Sequence, residues 1–461
     1  MTTSLFAPAP LTAPAARARR RLLLIAYSFP PVGGAGVQRP VKWVKYLHRA
    51  GWDVTVLTPA NPSVPVRDES LIAEIPAETT LLRPRTWEPD YRVKQGLAGE
   101  RPEARRRPSL TAFVRNRVKA AAKLCLQPDP QILWVPNAVR SASRHLARTP
   151  HDAIVCTAPP YSSFLIGEQL KRRFGLPLVL DYRDEWDLSS RYLEHAPRDG
   201  FSRFVQERMQ RRVLAAADAV VATTQASTDQ LSGRLRDLGR ATPAHCIYNG
   251  FDAEDFSGAT HAPPRDAGVF RLVYTGTLWN LTSIHPLVAA VESLGELHSA
   301  AVARLEIVCI GRKTPEQAAC LDRLRHTGCR LSSRDYCNHD EVLSWMHSAD
   351  ALCLLLSDVP GAERVVPAKL FEYLAARREL LAIVPDGETA GLVERFFPWG
   401  RFAPTNILGI RNWLAERLEE GGPKPAAVTQ HMIDEFSREQ QTGLSLKILD
   451  DLVAAGPRGG V

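Results

Sequence analysis

The sequence predicts an α/β protein built from two successive doubly wound parallel sheets that face each other across a cleft. Three observations carry this expectation. The chain has 461 residues, which at roughly 150 residues per domain is too long for one ordinary core. Apolar runs of strand length alternate with stretches of helical spacing, the pattern of parallel sheets covered by helices on both faces. The alternation breaks at a linker and then restarts.

Residues 1–20 are rich in Ala, Pro and Arg with no apolar period, and read as a disordered leader. Arg21–Tyr27 is a continuous apolar run of buried-strand type. Gln38–Ala50 follows with Val41, Val44 and Leu47 at helical spacing, and Val54–Leu57 is a second strand. Strands recur at Ala153–Cys156, Leu178–Asp181 and Ala219–Ala222, with helices over Ser162–Phe174 and Phe201–Ala216. These elements predict an N-terminal domain over 21–250. Asn249–Asp252 is turn chemistry, and the Gly-, Ala-, Pro- and Asp-rich stretch after it makes 251–269 a linker. A second domain, 270–425, opens with a strand at Arg271–Thr275 and a helix from Ser283. Strand Leu305–Ile310, helix Glu316–His326, strand Ala351–Leu356, helix Ala368–Ala376 and strand Leu380–Val384 continue it. Residues 426–461 read as helical and can pack back on the N-terminal domain. In open parallel sheets ligands sit beyond the carboxyl ends of the strands, so the cleft is the expected site.

Composition excludes several classes. Apolar residues make up 45% and charged residues 23%, ordinary for a globular chain and unlike a disordered one. No apolar run approaches the roughly 18 residues of a membrane span. The basic N-terminus is followed by an apolar run too short for a secretory signal. Eight cysteines stand apart with no C-x-x-C pair, and no H-E-x-x-H occurs; both facts disfavour a disulfide scaffold or a zinc protein. A soluble, cytosolic protein is expected. The net charge of +8 is spread unevenly: residues 90–150 hold 13 Arg or Lys against 4 Asp or Glu, while 151–461 sum to −6. The basic half calls for an anionic partner.

Between the first strand and the first helix runs Phe29-Pro-Pro-Val-Gly33-Gly34-Ala-Gly36-Val-Gln-Arg39. Glycines let a backbone approach an anion closely, and the helix N-terminus after them offers free N–H groups and a positive dipole end. A dinucleotide fingerprint fails on two counts. Its third glycine would fall on Arg39, and Thr58-Pro59 replaces the acid expected after the second strand. No G-x-x-x-x-G-K-[ST] exists either. The loop reads as a phosphate site of another kind, with a glycine turn that binds nothing as the alternative.

In the second domain, Arg364-Val-Val-Pro367-Ala-Lys369-Leu-Phe-Glu372-Tyr-Leu-Ala-Ala376 follows the strand at 351–356. Pro367 suits a helix start, and Lys369 and Glu372 lie three apart on one face. Lysine neutralises phosphate, and a carboxylate accepts from two vicinal ribose hydroxyls. A surface ion pair between the two is the competing reading.

Taken in order, several elements resemble glycosyltransferase family 4. Phe29-Pro-Pro with Gly33-Gly34-Ala-Gly36 is similar to its N-terminal signature, as are Lys45-Tyr-Leu with Gly51-Trp-Asp-Val-Thr-Val-Leu-Thr and Thr157-Ala-Pro-Pro160-Tyr-Ser. Asp181-Tyr-Arg-Asp184-Glu-Trp186 resembles its D-[FY]-R-D-x-W element, and Asn249-Gly-Phe-Asp252 its interdomain entry. Val366-Pro-Ala-Lys369-Leu-Phe-Glu372-Tyr-Leu-Ala is similar to its donor-binding helix. The resemblance spans 21 to about 400. It implies the GT-B fold, two Rossmann-like domains over a cleft, and transfer of sugar from a nucleotide-activated donor with retention. It also implies no cofactor beyond that co-substrate and no metal, which the lack of a D-x-D triplet fits. Gly33, Gly34, Gly36, Gly276, Lys369 and Glu372 are the donor-binding residues on this reading.

Three positions depart from the family pattern. The first of its two donor-helix glutamates falls on Arg364, with Glu363 one residue out of register. Thr275-Gly276-Thr277-Leu278-Trp279-Asn280-Leu281 carries neither the usual Arg nor the usual Lys, and Phe164 stands near the position of a donor-side histidine.

Negative charge grows on the leaving diphosphate during glycosyl transfer, so groups fixed at that oxygen are the catalytic ones. Lys369 and the glycine amides are placed there, and Asp184 on the acceptor side, positioning or deprotonating the acceptor hydroxyl. An Arg183–Asp pair that only pins the strand end is the alternative for Asp184. Residues 105–124 place Phe113, Val114, Val118, Ala121 and Leu124 among Arg105, Arg106, Arg107, Arg115, Arg117, Lys119 and Lys123. That spacing suits a basic amphipathic helix on the anionic inner face of a membrane, where a lipid-linked acceptor is found. A solvated charge run is the plainer reading, and no nucleic-acid module is present. The leading expectation is a glycosyltransferase of polysaccharide, glycolipid or glycosylated-metabolite synthesis. A nucleotide-sugar epimerase of the same fold and a non-catalytic sugar-nucleotide-binding module are its rivals.

Overall fold

The computed structural model describes residues 19–91, 93–94, 126–188, 200–257, 263–264, 266–419 and 428–456. The basic segment 105–124 and all but the end of the expected leader lie outside them. Two parallel sheets organise the chain. The first has the strand order β3-β2-β1-β4-β5-β6-β7, with β1 Arg21–Ala26, β2 Asp53–Leu57, β3 Thr80–Leu82, β4 Ala153–Ala158, β5 Leu178–Tyr182, β6 Ala219–Ala222 and β7 Ala244–Cys246. The second has the order β10-β9-β8-β11-β12-β13, with β8 Phe270–Thr275, β9 Leu305–Ile310, β10 Arg330–Arg334, β11 Ala351–Leu355, β12 Glu379–Ile383 and β13 Arg401–Phe402.

Period-two side-chain direction explains why the central strands are apolar throughout. In β1, Leu23 and Ile25 enter one core while Leu22 and Leu24 enter the other, on the opposite face. The first core is closed by α2 (Val135–Leu146), α3 (Ser162–Phe174), α4 (Gly200–Ala216) and α5 (Gln225–Asp237). The second is closed by α1 (Ala35–Arg49), whose Val37, Val41 and Val44 are fully buried. The second sheet repeats the scheme, with α6 (His285–Leu297), α7 (Pro315–Asp322) and α11 (Ile407–Glu419) on one face. Helices α8 (His339–Ser348), α9 (Lys369–Ala376) and α10 (Glu388–Phe396) cover the other. The doubly wound α/β expectation holds.

Helix α12 (Arg438–Ala455) returns to the first sheet, where Leu446 and Leu449 join the core of α1. The chain therefore passes between the domains twice, at 247–252 and at 428–437. The passages touch: Phe251 N–H donates to Phe436 O at 3.2 Å, and Arg438 N–H to Phe251 O at 2.7 Å. Gly250 is required here, because a Cβ would strike the Phe436 carbonyl. Among the described residues no helix is long and apolar enough to cross a membrane.

Candidate active site

Loops at the carboxyl ends of the two sheets meet. From the first domain come the loops after β1, β2, β5 and β6; from the second, those after β10, β11 and β12. Tyr336, after β10, donates its hydroxyl to Asp68 Oδ2 at 2.9 Å and accepts from Gly34 N–H at 3.4 Å. Arg364, after β11, donates Nε to Glu185 Oε1 at 2.9 Å, and its carbonyl accepts Thr224 Oγ1 at 3.0 Å. Glu388, after β12, accepts Gln225 and Ala226 N–H at 2.8 and 2.9 Å and the Tyr248 hydroxyl at 2.7 Å. A second-domain carboxylate thus caps the N-terminus of a first-domain helix, where the dipole favours it.

The glycine loop begins α1, with Gly34 as its N-cap at φ 98, a left-handed conformation that favours glycine. At Gly33 a Cβ would lie 2.8 Å from Val66 Cγ1 and 3.0 Å from the Tyr336 hydroxyl. Gly36 faces Arg183, whose guanidinium donates to the carbonyls of Gly36 and Pro159 and, at 3.3 Å, to that of Ala158. Arg183 therefore ties the β1 and β4 loops together through backbone carbonyls. It makes no ion pair with Asp184 among the described residues, which corrects the pinning pair considered from sequence.

Arg39 explains the broken fingerprint. It is 1% exposed and pairs with the equally buried Asp181, Nη2 to Oδ1 at 2.8 Å, while Nη1 donates to Tyr248 O at 2.9 Å. Thr157 Oγ1 donates to Asp181 Oδ2 at 2.7 Å. A charge that spans α1, β5 and the first interdomain passage stands where a nucleotide fold has glycine.

Asp184 is open to solvent on the cleft wall, and among the described residues no side chain bonds its carboxylate. Desolvation by that wall raises its carboxyl above the ordinary value, with Arg183 opposing. Phe164 is fully buried, beneath Tyr161, Tyr182 and Trp186, so it reaches no ligand.

Across the cleft, α9 starts at Lys369 rather than at Pro367. Lys369 Nζ donates to Thr275 Oγ1 at 3.3 Å; desolvation lowers its pKa, with Glu372 opposing. Lys369 and Glu372 form no ion pair among the described residues, so the surface-pair reading does not describe them. Gly276, at φ 139, leaves the space that Lys369 fills: a Cβ there would strike Lys369 Cε and lie 3.3 Å from Nζ. The Gly276 carbonyl lies where a Cβ of Gly311 would be, so the β8 and β9 loops are in backbone contact. That contact brings Arg312 and Lys313 beside a loop that carries no cation of its own. Lys313 Nζ is held by the carbonyls of Gly311 at 2.6 Å and Arg334 at 2.5 Å, and Arg312 donates to the Tyr91 hydroxyl at 3.0 Å. Sequence reasoning passed over Arg312, Lys313, Tyr336 and Glu388; Gly311-Arg312-Lys313 after a strand was the one local signal.

Among the described residues, one cluster has the makings of a metal site: Glu74, Asp252 and Asp255. Lys42 holds it instead, with Nζ 2.8 Å from both aspartates and also paired with Glu74. Burial alone would raise the Asp252 carboxyl; Lys42, Lys45 and Tyr46 together hold it well below the ordinary range. His339 on α8 lies 3.0 Å from Asp255, tying the second domain to the same network.

Two parallel-sheet domains whose carboxyl ends converge on one cleft make the architecture of the GT-B glycosyltransferases. Residues 33–250 match the family model described as glycosyl transferase 4-like domain. The chain is similar in structure to sucrose-phosphate synthase from Thermosynechococcus elongatus, at 17% identity and a TM-score of 0.60 over 95% of this chain and 100% of that one. Anabaena HepE in complex with UDP and glucose is similar at 16% identity, 0.60, 94% and 100%. An E. coli structure of trehalose-6-phosphate bound with UDP-2-fluoro glucose is similar at 13% identity, 0.60, 95% and 100%. At these identities the likeness establishes the fold. No curated protein matches the sequence.

Proposed function

We propose that this protein is a family 4 glycosyltransferase that moves a sugar from a uridine-diphosphate donor to an acceptor hydroxyl, with retention and without a metal. The observation that carries the reading is the pair Lys369 and Glu372 in the first turn of α9. One is seated in the space left by Gly276, and neither is neutralised by the other. Glu372 accepts the ribose hydroxyls, and Lys369 neutralises the diphosphate as its bond to the sugar breaks. Gly36 supplies a backbone N–H and the α1 dipole from the opposite wall, while Gly33 and Gly34, whose N–H groups go to Val66 O and the Tyr336 hydroxyl, let the loop approach closely. Asp184 meets the acceptor hydroxyl, which it positions or deprotonates; desolvation raises its carboxyl above the ordinary value, with Arg183 opposing. The neighbours bound with UDP and glucose, or with UDP-2-fluoro glucose, support the donor class.

A rival reading, a sugar-nucleotide-binding module without turnover, is favoured by Arg364. Its pairing with Glu185 spans the cleft at the position where a donor-sugar carboxylate was expected. One experiment separates the two. The protein is incubated with UDP-, GDP- and dTDP-sugars, with and without polysaccharide, lipid-linked and small hydroxylated acceptors, and released nucleoside diphosphate is measured. Acceptor-dependent release from a UDP-sugar supports the transferase. Saturable binding without release under every acceptor supports the module.

A further inference from the structure

The described arginines of the basic stretch 90–150, which are Arg140, Arg144 and Arg148, line a pocket apart from the cleft. This pocket, of about 590 Å³, opens on the first domain beside edge strand β3 and helix α2, and none of the cleft residues named above lines it. Arg85, Arg140, Arg144 and Arg148 line it, with Asn137 and His145. Arg140 and Arg144 are one turn apart on α2, about 6 Å along its axis, and Arg148 follows just past its end. Asn137 Nδ2 donates to Arg85 O at 2.9 Å, which fixes the β3 loop against the helix.

None of the four guanidinium groups has a carboxylate or other side-chain partner among the described residues, and no Asp or Glu lines the pocket there. Some surface arginines, such as Arg49, Arg323 and Arg330, are paired with Glu254, Glu292 and Asp266. Others, such as Arg203 and Arg240, are exposed and stand unpaired among the described residues. What marks this pocket is that four unpaired arginines line one cavity. Like charges a turn apart on a helix repel, so the cluster weakens the unliganded fold. The negative end of the α2 dipole accounts for cations at Arg144 and Arg148, but not for Arg140 or for Arg85 on a loop. His145 adds a ring whose Nε2 is buried with no partner. A single monoanion satisfies one such group; four guanidinium groups suit several phosphate charges at once.

We propose that this pocket is a second anion site, separate from the donor cleft, which binds a ligand bearing two or more phosphate charges. Such a ligand is either a soluble phosphorylated molecule or clustered phospholipid headgroups. The full chain, the variant Arg140→Gln/Arg144→Gln/Arg148→Gln and the cleft variant Lys369→Ala are each titrated with inorganic pyrophosphate. Each is also sedimented at low salt with vesicles of phosphatidylglycerol or of phosphatidylcholine. The triple variant is expected to bind pyrophosphate or phosphatidylglycerol at least about tenfold more weakly than the unmutated chain, and Lys369→Ala to keep that binding. Weaker pyrophosphate binding identifies a soluble ligand; weaker binding of phosphatidylglycerol alone identifies headgroups. Unchanged binding of both probes in a folded triple variant overturns the proposal. So does a loss that Lys369→Ala reproduces, because that puts the anion in the cleft. Arg85→Gln, on a loop, replaces the triple variant should the latter fail to fold, with the same outcomes.

Discussion

Gly276→Ala tests the site through its tightest contact. At φ 139 an alanine occupies a region open in practice to glycine alone, at a cost of about 1–3 kcal/mol. The new methyl also falls on Lys369 Cε, so the lysine must swing out and give up its bond to Thr275 Oγ1. Taking about 2 kcal/mol in all, and ~2–4 °C per kcal/mol for a domain of this size, the melting temperature falls by about 4–8 °C. Affinity for UDP falls further than stability suggests. A charged hydrogen bond is worth about 1.5–3 kcal/mol, or roughly 10- to 150-fold in Kd. The double variant Gly276→Ala/Lys369→Ala isolates the cause, because an alanine at 276 has no lysine left to displace. Calorimetry with UDP on the four proteins reads the cycle, and near-zero additional loss in the double variant is expected. Additive losses, or Gly276→Ala binding UDP as tightly as the unmutated protein, would refute the argument that Gly276 exists to seat Lys369.

Other outcomes follow from the same geometry. Arg39→Met leaves Asp181 buried with only Thr157, and is expected to cost about 3–5 kcal/mol in urea unfolding; a loss below about 1 kcal/mol contradicts the pairing's role. Glu372→Ala is expected to weaken nucleotide-sugar binding by about 1.5–3 kcal/mol with an unchanged circular dichroism spectrum. Equal affinity in a folded variant removes Glu372 from the site. For His339, desolvation lowers the pKa, but the bond to Asp255 and the charge of Glu372 outweigh it and leave the net value above 6.5. A raised folded pKa contributes stability fully present below the unfolded value and lost as pH rises through the folded one. The melting-temperature gap between the unmutated protein and His339→Asn should therefore shrink between about pH 6 and pH 8; a gap that is constant with pH counts against the ion pair.

The parts legible in the sequence were those decided locally. Central strands such as β1, β8 and β11 are buried on both faces, so their apolar runs have no polar interruption to hide them. The edge strands β3, β7, β10 and β13 went unseen because two to five residues, half-buried or exposed, leave no period to read. Gly33, Gly34 and Gly36 announced themselves as a loop before a helix. Their contact with Tyr336 did not, since Tyr336 and Gly34 are 302 residues apart and meet only when the domains close. Arg39 was legible as the residue that breaks a fingerprint, but its partner Asp181 lies 142 residues away on another strand. Arg364 was marked as out of place; that it reaches Glu185 depends on how two sheets are set against each other, which no local pattern records.

The two passages between the domains run side by side and are bonded to each other, through Phe251, Phe436 and Arg438. A body held by one strand of chain can swing, twist and slide; a body held by two adjoining strands keeps a single easy rotation. Any opening of the cleft would thereby be restrained toward one rotation, with its axis at Gly250–Phe251. The loops after β10, β11 and β12 would then return to the first domain in register on closing.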